Sequence, residues 1–279
     1  MSNTGGSLSG TVAVVTGASR GAGRGIARVL GQRGATVYVT GRTTKEHRSG
    51  DEFPHSIEET AAEVDEAGGH GVAVACDHAD DSAVEALFAR VREDHGKLDV
   101  LVCNAWGGYM PYGQHNDWWS VPFWEQSMAR WDGMFTSGLR AHISSCMYGI
   151  PLMLGAGQGL VVLTTFTRGR RYLGNVFYDV AKNAVCRLAS GLADDLGDRE
   201  IAVIALSPGW MAVERMPDDA RSRAQMESPE YIGRAVAALA QDPGVARRSG
   251  QSFAVGDLAR MYGFTDVDGR QPTSYPIEV

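Results

Sequence analysis

The sequence predicts an α/β fold in which a doubly wound, seven-stranded parallel sheet carries helices on both faces within a single domain. Short runs of β-branched and apolar residues alternate with segments whose apolar residues recur at helical spacing. Such alternation implies right-handed crossovers between parallel strands. No Pro/Ser-rich linker or charged block divides the 279 residues, so one large domain is favoured over two small ones.

Each element is assigned from its own pattern, in chain order. The first run, Val12–Thr16, is apolar and β-branched and lies between glycines, as expected of a buried parallel strand. The segment after it carries Ile26, Val29 and Leu30 on one helical face. The same patterns predict strands at Thr36–Thr40, Gly71–Cys76, Leu98–Cys103, Gly159–Thr165, Ile201–Leu206 and Ser252–Val255. They predict helices at Gly23–Arg33, Ser56–Ala67, Ser82–His95, Ser127–Leu154, Tyr178–Leu196 and Pro229–Gln241.

Three connections are longer than is usual between neighbouring elements. They are Gly41–His55, Ala105–Gln126 and Ser207–Ser228. In a doubly wound sheet all three leave the carboxyl ends of strands, where a change in winding direction opens a crevice for ligands. We therefore expect the functional site at this edge of the sheet.

Three glycines lie between the first strand and the first helix, at Gly17, Gly21 and Gly23. Glycine tolerates unusual backbone angles, and it lets a pyrophosphate approach the free amides at the start of a helix. A purely structural turn is the alternative. The strand–turn–helix context favours a nucleotide-binding loop.

Tyr178 is followed four residues later by Lys182, and the chain contains only three lysines. On a helix these two side chains share a face. A neighbouring ammonium group favours phenolate, so we expect it to lower the pKa of Tyr178 from about 10 towards neutrality. Such a phenol can protonate a carbonyl oxygen, or act as a base in the reverse reaction. An ordinary exposed helical pair is the alternative.

The glycine turn and the tyrosine–lysine pair together resemble the classical short-chain dehydrogenase/reductases. Gly17, Gly21 and Gly23 match the family's TGxxxGxG loop, and Tyr178 with Lys182 matches its YxxxK motif. Shorter matches follow in order at Cys76 with Asp77, Asn104 with Ala105, and Pro208 with Gly209. The subgroup of dehydrogenase/reductase SDR family member 1 is similar in the runs Phe123–Glu125, Gly138–His142, Ala156–Leu160, Asp257–Gly263 and Asp266–Arg270.

The resemblance covers most of the chain and implies a Rossmann-type fold that binds a nicotinamide cofactor. It implies a flexible N-terminus at 1–10, a dinucleotide-binding catalytic domain at 11–260 and a C-terminal extension at 261–279. It also implies a homodimer or homotetramer, assembled through the long helices around 127–154 and 178–196.

The end of the second predicted strand indicates NADP(H). An acidic residue there would bind the adenosine ribose hydroxyls and repel a 2′-phosphate, but Gly41 is followed by Arg42, Thr43 and Thr44. Arg42, together with Arg20 in the glycine loop, offers planar donors for a 2′-phosphate. Two ordinary solvated arginines are the alternative.

The remaining cofactor contacts are implied by the resemblance. It places Asp77 at the adenine, with a plain turn residue as the alternative, and Asn104 and Ala105 along the adenosine. The full cofactor-binding set is Gly17, Ser19, Arg20, Gly21, Ala22, Gly23, Arg42, Thr43, Asp77, Asn104, Ala105, Tyr178, Lys182, Pro208 and Gly209.

By the same resemblance Tyr178 donates the proton, and Lys182 lowers its pKa and binds the nicotinamide ribose. Thr165 stands where the family has serine, thirteen residues before the tyrosine, and is expected to polarise the carbonyl. A strand residue without a role is the alternative for Thr165. Two positions depart from the pattern. Gly138 stands in place of the family's asparagine, and Val213 in place of a threonine that contacts the nicotinamide carboxamide.

Aromatic residues are concentrated in and just after one long connection. Five of the six tryptophans lie between residues 106 and 131, at Trp106, Trp118, Trp119, Trp124 and Trp131. A wall over the substrate pocket is favoured, and a subunit contact is the alternative. Arginines follow Thr165 directly and could attract an anionic group, or could be plain loop residues, at Arg168, Arg170 and Arg171. The predicted pocket set is Trp106, Trp119, Trp124, Arg168 and Trp210.

The composition argues against several classes of partner. A formal charge of −7 and a pI near 5.5 are unlike those of a nucleic-acid surface. No apolar stretch approaches the ~20 residues that cross a bilayer. The cysteines lack a CxxC pair and the histidines lack metal-ligand spacing, so we expect reduced thiols and no metal. The first ten residues do not resemble a signal peptide, which favours a cytoplasmic location.

These features predict an NADPH-dependent oxidoreductase that reduces a ketone or aldehyde, or oxidises the corresponding secondary alcohol, on a bulky apolar small molecule. The alternative is a protein of this fold that binds NADP without redox turnover, as a non-redox acid/base enzyme or a cofactor-gated regulator. The missing asparagine, serine and threonine favour the alternative. The intact glycine loop and the pair Tyr178 and Lys182 favour the oxidoreductase.

Overall fold

The computed structural model describes residues 7–47, 55–109, 119, 121–216 and 226–273. Its strands are β1 (Val12–Thr16), β2 (Thr36–Gly41), β3 (His70–Ala75), β4 (Val100–Cys103), β5 (Gln158–Thr164), β6 (Glu200–Ser207) and β7 (Ser252–Ala254). Its α-helices are α1 (Gly21–Gln32), α2 (Ile57–Glu66), α3 (Asp81–His95), α4 (Ala129–Trp131), α5 (Ala141–Ala156), α6 (Val176–Leu196), α7 (Pro229–Gln241) and α8 (Val255–Tyr262).

The described strands form one seven-stranded parallel sheet in the order β3-β2-β1-β4-β5-β6-β7. The chain winds from β1 outward to β3, then returns to β4 on the other side of β1 and winds the opposite way. The carboxyl ends of β1 and β4 therefore flank the switch in direction, where α/β sheets bind ligands. The predicted fold class is confirmed.

Helices cover both faces of the sheet. On one face α1, α2, α7 and α8 pack over a core that includes Ile26, Leu30 and Val236. On the other face α3, α5 and α6 enclose a second core that includes Phe88 and Met153. The strands contribute apolar side chains to both cores, because a strand that is buried on both faces is apolar at successive positions.

The start of α1 is fixed by close contact with α7. A Cβ atom on Gly25 would lie 2.1 Å from the Pro229 carbonyl oxygen, and one on Gly233 would lie 2.9 Å from the Gly25 oxygen. Side chains at either position would push the helices apart. This contact holds the first turn of α1 against the body of the protein, just after the glycine loop.

The predicted helix 127–154 differs in its first half. It begins as the single turn α4, continues as a π-helix over Asp132–Arg140 and becomes α-helical only at α5. π-helical turns are rare and occur often at functional sites. Apolar periodicity does not distinguish such a stretch from an α-helix, so the sequence pattern could not indicate it.

Both segments that flank the predicted catalytic domain contain packed residues. Leu8, assigned to the flexible N-terminus, is buried, and its amide donates to the Arg33 carbonyl at 2.7 Å. At the other end, α8 runs through the expected boundary at 260, and Phe264 packs on Tyr231 at 5.4 Å between ring centroids. The packed body thus extends into both terminal segments. Among the described residues no helix is both long and apolar enough to span a membrane.

Candidate active site

A cavity of about 750 Å³ opens at the carboxyl ends of the strands, at the switch point. Most of the predicted site residues line it, namely Gly17, Ser19, Arg20, Gly21, Ala22, Arg42, Thr43, Asp77, Asn104, Ala105, Trp106, Trp119, Thr165, Tyr178, Lys182, Pro208, Gly209 and Trp210. Three predicted residues do not line it: Gly23, Trp124 and Arg168. The topology therefore brings two motifs about 160 residues apart into one cavity.

The glycine loop is held by backbone contacts. Gly17 has φ +64°, and a Cβ on it would lie 2.8 Å from the Ala105 Cα atom. A Cβ on Gly23 would lie 2.4 Å from the Gly17 oxygen and 2.6 Å from Asn104 Nδ2. Asn104 Nδ2 itself donates to the carbonyls of Thr16 and Gly17, each at 3.0 Å. Gly23 and Asn104 thus shape the loop from behind.

The first amide of α1 already binds an anionic group. The Gly21 amide donates to both carboxylate oxygens of Glu214, at 3.1 and 3.2 Å, and Arg24 Nη1 lies 3.7 Å from the same carboxylate. Free amides at a helix N-terminus attract anions such as a pyrophosphate. The carboxylate stands in for such an anion, so the residues present fit the phosphates of a dinucleotide. Glu214 was not predicted from the sequence.

The end of β2 carries the predicted 2′-phosphate residues. Arg42 and Asp77 face each other, with Nη1 and Oδ2 3.9 Å apart, and both side chains are exposed. Asp77 Oδ1 also accepts from the Ala79 amide at 3.0 Å, which is the contact of a turn residue. Thr43 is buried. Its backbone carbonyl accepts a hydrogen bond from the Ile57 amide at 3.0 Å, which helps to position the start of α2.

Tyr178 lies in the first turn of α6, and its side chain is buried. The Asn175 side chain caps the helix by accepting from the Tyr178 amide at 3.1 Å. Aromatic rings enclose the phenol, with Trp119 and Trp106 at centroid distances of 5.0 and 5.7 Å. The Tyr109 hydroxyl lies 3.3 Å from the Tyr178 hydroxyl. The alternative of an exposed helical pair is therefore wrong.

Burial dominates the protonation of both motif residues. It raises the pKa of Tyr178 well above its usual range, and it lowers the pKa of Lys182 to about 7. The expected lowering of the Tyr178 pKa by its neighbour is wrong for this arrangement. The Lys182 ammonium lies 3.6 Å from the Trp106 ring centroid, but 5.8 Å from that of Tyr178.

Thr165 lines the cavity, but its hydroxyl donates to the backbone carbonyl of Lys182 at 2.6 Å. The hydroxyl proton is thus directed at α6, and in this rotamer it is not available to a substrate carbonyl. The nearest hydroxyl to Tyr178 comes instead from Tyr109. No sequence motif identified Tyr109, because its contact with Tyr178 depends on tertiary packing.

The two departures from the family pattern, Gly138 and Val213, have different neighbours in the structure. A Cβ on Gly138 would lie 2.6 Å from the Trp106 ring, so the indole fills the space where an asparagine side chain would stand. Val213 lines the cavity, and its Cγ1 atom lies 3.5 Å from where a Cβ on Gly21 would be. An apolar group thus replaces a hydroxyl beside the glycine loop.

The aromatic connection divides into two parts. Trp106 and Trp119 line the cavity, whereas Trp124 is 82% exposed and does not reach it. Trp131 stacks on Phe135 at 4.1 Å between ring centroids and does not line the cavity. Trp118 lies outside the described residues. Trp124 and Arg168 thus lie outside the described lining of the cavity, and their assignment to the substrate pocket stays a prediction.

Comparison with known proteins is consistent with this geometry. The sequence model of a family described as short chain dehydrogenase matches residues 11–224. Dehydrogenase/reductase SDR family member 1 from Mus musculus is 39% identical over 284 aligned positions, which cover 96% of this chain and 87% of the mouse protein. The resemblance to that subgroup is confirmed.

Solved structures agree with the fold. A short chain dehydrogenase from Mycobacterium thermoresistibile superposes with a TM-score of 0.78 at 25% identity, covering 98% of this chain and 96% of the other. A metagenomic short-chain oxidoreductase solved in complex with NADP superposes with a TM-score of 0.70 at 28% identity, covering 88% of this chain and 96% of the other.

Proposed function

The chain belongs to the short-chain dehydrogenase/reductase family, and we propose that it is an NADP(H)-dependent oxidoreductase acting on a ketone or aldehyde, or on the corresponding secondary alcohol. One observation carries the proposal. Tyr178 and Lys182 are buried side by side in the cavity that also contains the glycine loop. A proton donor and a dinucleotide loop in one cavity are the two parts that carbonyl reduction requires.

The cofactor, when bound, supplies or accepts the hydride. The residues that would hold its phosphates are the amides of the glycine loop at the start of α1, with Gly21 foremost. Arg20 and Arg42 line the same end of the cavity, and β2 ends without a carboxylate that would repel a 2′-phosphate. These features favour NADP(H) over NAD(H), as does the NADP in a structural relative.

Tyr178 is the proposed proton donor. Because burial raises its pKa, the phenol is protonated at neutral pH and can donate to a carbonyl oxygen as negative charge develops there. Lys182 lies one helical turn further along the same face of α6. Its Nζ atom lies 5.8 Å from the Tyr178 ring centroid, and burial outweighs its effect on the pKa of the phenol in this arrangement. Thr165 stays a candidate for polarising the carbonyl only if its hydroxyl turns away from the Lys182 carbonyl.

The walls beside Tyr178 favour a bulky apolar substrate. Trp106, Trp119, Phe166 and Leu173 line this part of the cavity and pack around the phenol. Buried aromatic surface selects apolar groups and excludes water from the reacting atoms.

The test supplies NADPH with a panel of ketones, aldehydes and quinones and follows the loss of cofactor absorbance. Loss of a general acid typically costs ~10²–10⁴-fold in rate, so Tyr178→Phe should be nearly inactive. The variant should bind NADPH as the wild type does, because the hydroxyl is absent but the ring still packs. Turnover indifferent to Tyr178→Phe would overturn this mechanism.

A second candidate is an NADP-binding protein without redox turnover. The Thr165 contact with the Lys182 carbonyl favours it, because the hydroxyl expected to polarise a carbonyl is engaged elsewhere. Tight NADPH binding with no turnover across the whole panel would support this second candidate over the first.

We also propose a homodimer or homotetramer assembled through α5 and α6. Large apolar side chains on these helices are exposed, with Met147 at 69% and Val180 at 50%. A shallow apolar depression between the helices includes Ile143 and Leu188. Light scattering on the purified protein tests this, since Met147→Glu should shift the mass towards the monomer, and an unchanged mass would contradict it.

A further inference from the structure

The Lys182 ammonium lies on the face of an indole ring. Its Nζ atom is 3.6 Å from the Trp106 ring centroid, well within the ~6 Å over which a cation is attracted to an aromatic face. Lys182 is 6% exposed. In the described part of the chain no carboxylate pairs with the ammonium, and the aromatic face nearest to it is that of Trp106.

The indole of Trp106 occupies space that side chains at two glycine positions would otherwise fill. A Cβ on Gly138 would lie 2.6 Å from the ring, and one on Gly108 would lie 2.6 Å from it on another edge. Gly138 belongs to the π-helix Asp132–Arg140, a rare helical form. Two glycines and a rare helical form thus converge on one tryptophan.

The indole is not placed there by its own polar atom. Trp106 Nε1 is buried and has no hydrogen-bond partner among the described residues. Buried indole N–H groups usually find an acceptor. The Trp106 ring lacks this hydrogen bond, and its face contacts the Lys182 ammonium. We therefore attribute the position of the ring to the contact made by its face.

The titratable groups around Lys182 come from three elements. Tyr178 and Cys186 lie on α6, His142 lies on α5, and Tyr109 reaches Tyr178 from the connection after β4. Burial lowers the pKa of His142 to about 3, so this imidazole is neutral at physiological pH. Burial raises the pKa of Tyr178 and of Tyr109, so neither phenol is an anion at neutral pH that could pair with the ammonium.

We propose that Trp106 is a positioning residue that keeps Lys182 protonated and beside Tyr178, in the space that Gly138 leaves open. The role in turnover rests on the proposed function. The electrostatic role does not, because it concerns two side chains of this chain and can be measured without cofactor. A hydrogen-bonding side chain at 138 and an indole at 106 exclude each other, so the glycine and the tryptophan form a matched pair.

The test measures the pKa of Lys182 directly in the cofactor-free protein. Acetic anhydride labels amines only in their neutral form, and peptide mass spectrometry resolves the three lysines of the chain. Lys45 and Lys97 serve as internal references in each sample. The pKa comes from the pH midpoint of labelling, which is independent of how easily the reagent reaches the cavity.

Trp106→Leu should lower the Lys182 midpoint by about one pH unit, because a desolvated cation on an aromatic face gains roughly the energy of a tenfold change. Trp106→Phe keeps an aromatic face and should restore most of the shift. Gly138→Ala should shift the midpoint in the same direction by displacing the ring. The double variant of Gly138→Ala with Trp106→Leu should shift it no further than Trp106→Leu alone.

Trp131→Leu is the matched control, since it removes an indole that stacks on Phe135. Its Lys182 midpoint should equal that of the wild type. An unchanged midpoint in both Trp106→Leu and Gly138→Ala would overturn the proposal. Should Trp106→Leu fail to fold, the Lys182 midpoints of Gly138→Ala and Trp106→Phe are compared instead. A lowered midpoint in Gly138→Ala alone supports the proposal, and equal midpoints in the two variants contradict it. These outcomes are separate from the proposed function, which fails if no carbonyl compound is turned over or if turnover does not depend on Tyr178.

Discussion

The two ends of the cavity are built in different ways. At the glycine end, around Gly17 and Gly23, backbone packs against backbone and an added methyl group would collide with main-chain atoms, and Gly21 has a φ of +55° that favours glycine. At the tyrosine end, around Tyr178 and Lys182, side chains pack against side chains, and aromatic rings set the contacts. The glycine end therefore tolerates almost no variation, whereas the tyrosine end can exchange one arrangement of side chains for another.

This difference accounts for part of the chain's departure from its family. Gly138 and Thr165 lie at the tyrosine end, whereas Val213 lies beside Gly21, and none of the three replaces a glycine of the loop. Each is a change of side chain that its neighbours can accommodate, as the Trp106 ring does beside Gly138. The predictions below test whether the two ends respond to mutation as this comparison requires.

The largest effect is expected for Gly23→Ala at the glycine end. The new methyl group would lie 2.4 Å from the Gly17 oxygen, so the loop must shift. Overpacking of this kind costs about 1–3 kcal/mol, which should weaken NADPH binding by up to about a hundredfold. Fluorescence titration measures it. Gly191→Ala is the control, since nothing lies within 4 Å of its added methyl, and its affinity should match the wild type.

Arg42→Ala should weaken NADPH binding by about tenfold, because a charged hydrogen bond to the 2′-phosphate is lost. NADH binding should stay unchanged, since that cofactor lacks the phosphate. Titration of both cofactors against both proteins measures the ratio. A wild type that binds NADH as tightly as NADPH would contradict the assignment of the cofactor.

At the tyrosine end, Trp119→Ala should raise KM for a bulky substrate by about five- to tenfold, because an aromatic wall contributes roughly 1 kcal/mol or more. Trp119 lies 5.0 Å from Tyr178 between ring centroids, whereas Trp124 is 82% exposed. Trp124→Ala should therefore leave KM unchanged. Equal effects of the two substitutions would show that the cavity does not define the substrate pocket.

The smallest effect is expected for Glu214→Gln. The Glu214 carboxylate accepts a hydrogen bond from the Gly21 amide, which a cofactor phosphate would also use. Removing the charge of Glu214 should therefore weaken its competition with the phosphate. Charges at a helix N-terminus are worth about 0.3–1 kcal/mol, so NADPH should bind about two- to fivefold more tightly. Glu230→Gln is the control, because Glu230 pairs with Arg28 at 2.6 Å outside the cavity. Weaker binding in Glu214→Gln would contradict the competition.

The same contrast decides how much the sequence could predict. The strand order, the switch point and the glycine loop follow from patterns of apolar residues and glycines, which reflect backbone geometry. The contact between Trp106 and Lys182 could not be predicted, since it depends on a π-helix that periodicity does not show. The rotamer of Thr165 and the exposure of Trp124 are likewise set by tertiary packing.

The central position of β1 has a consequence for synthesis of the chain. β1 pairs with β2 on one side and with β4 on the other, and β4 begins only at Val100. A nascent chain that ends before this residue exposes an unpaired edge of a strand whose side chains are all apolar or small, and such edges recruit other strands. We expect fragments ending near residue 95 to aggregate on release from the ribosome. The nascent chain is thus most prone to aggregate before β4 is synthesised, when the glycine loop is already present.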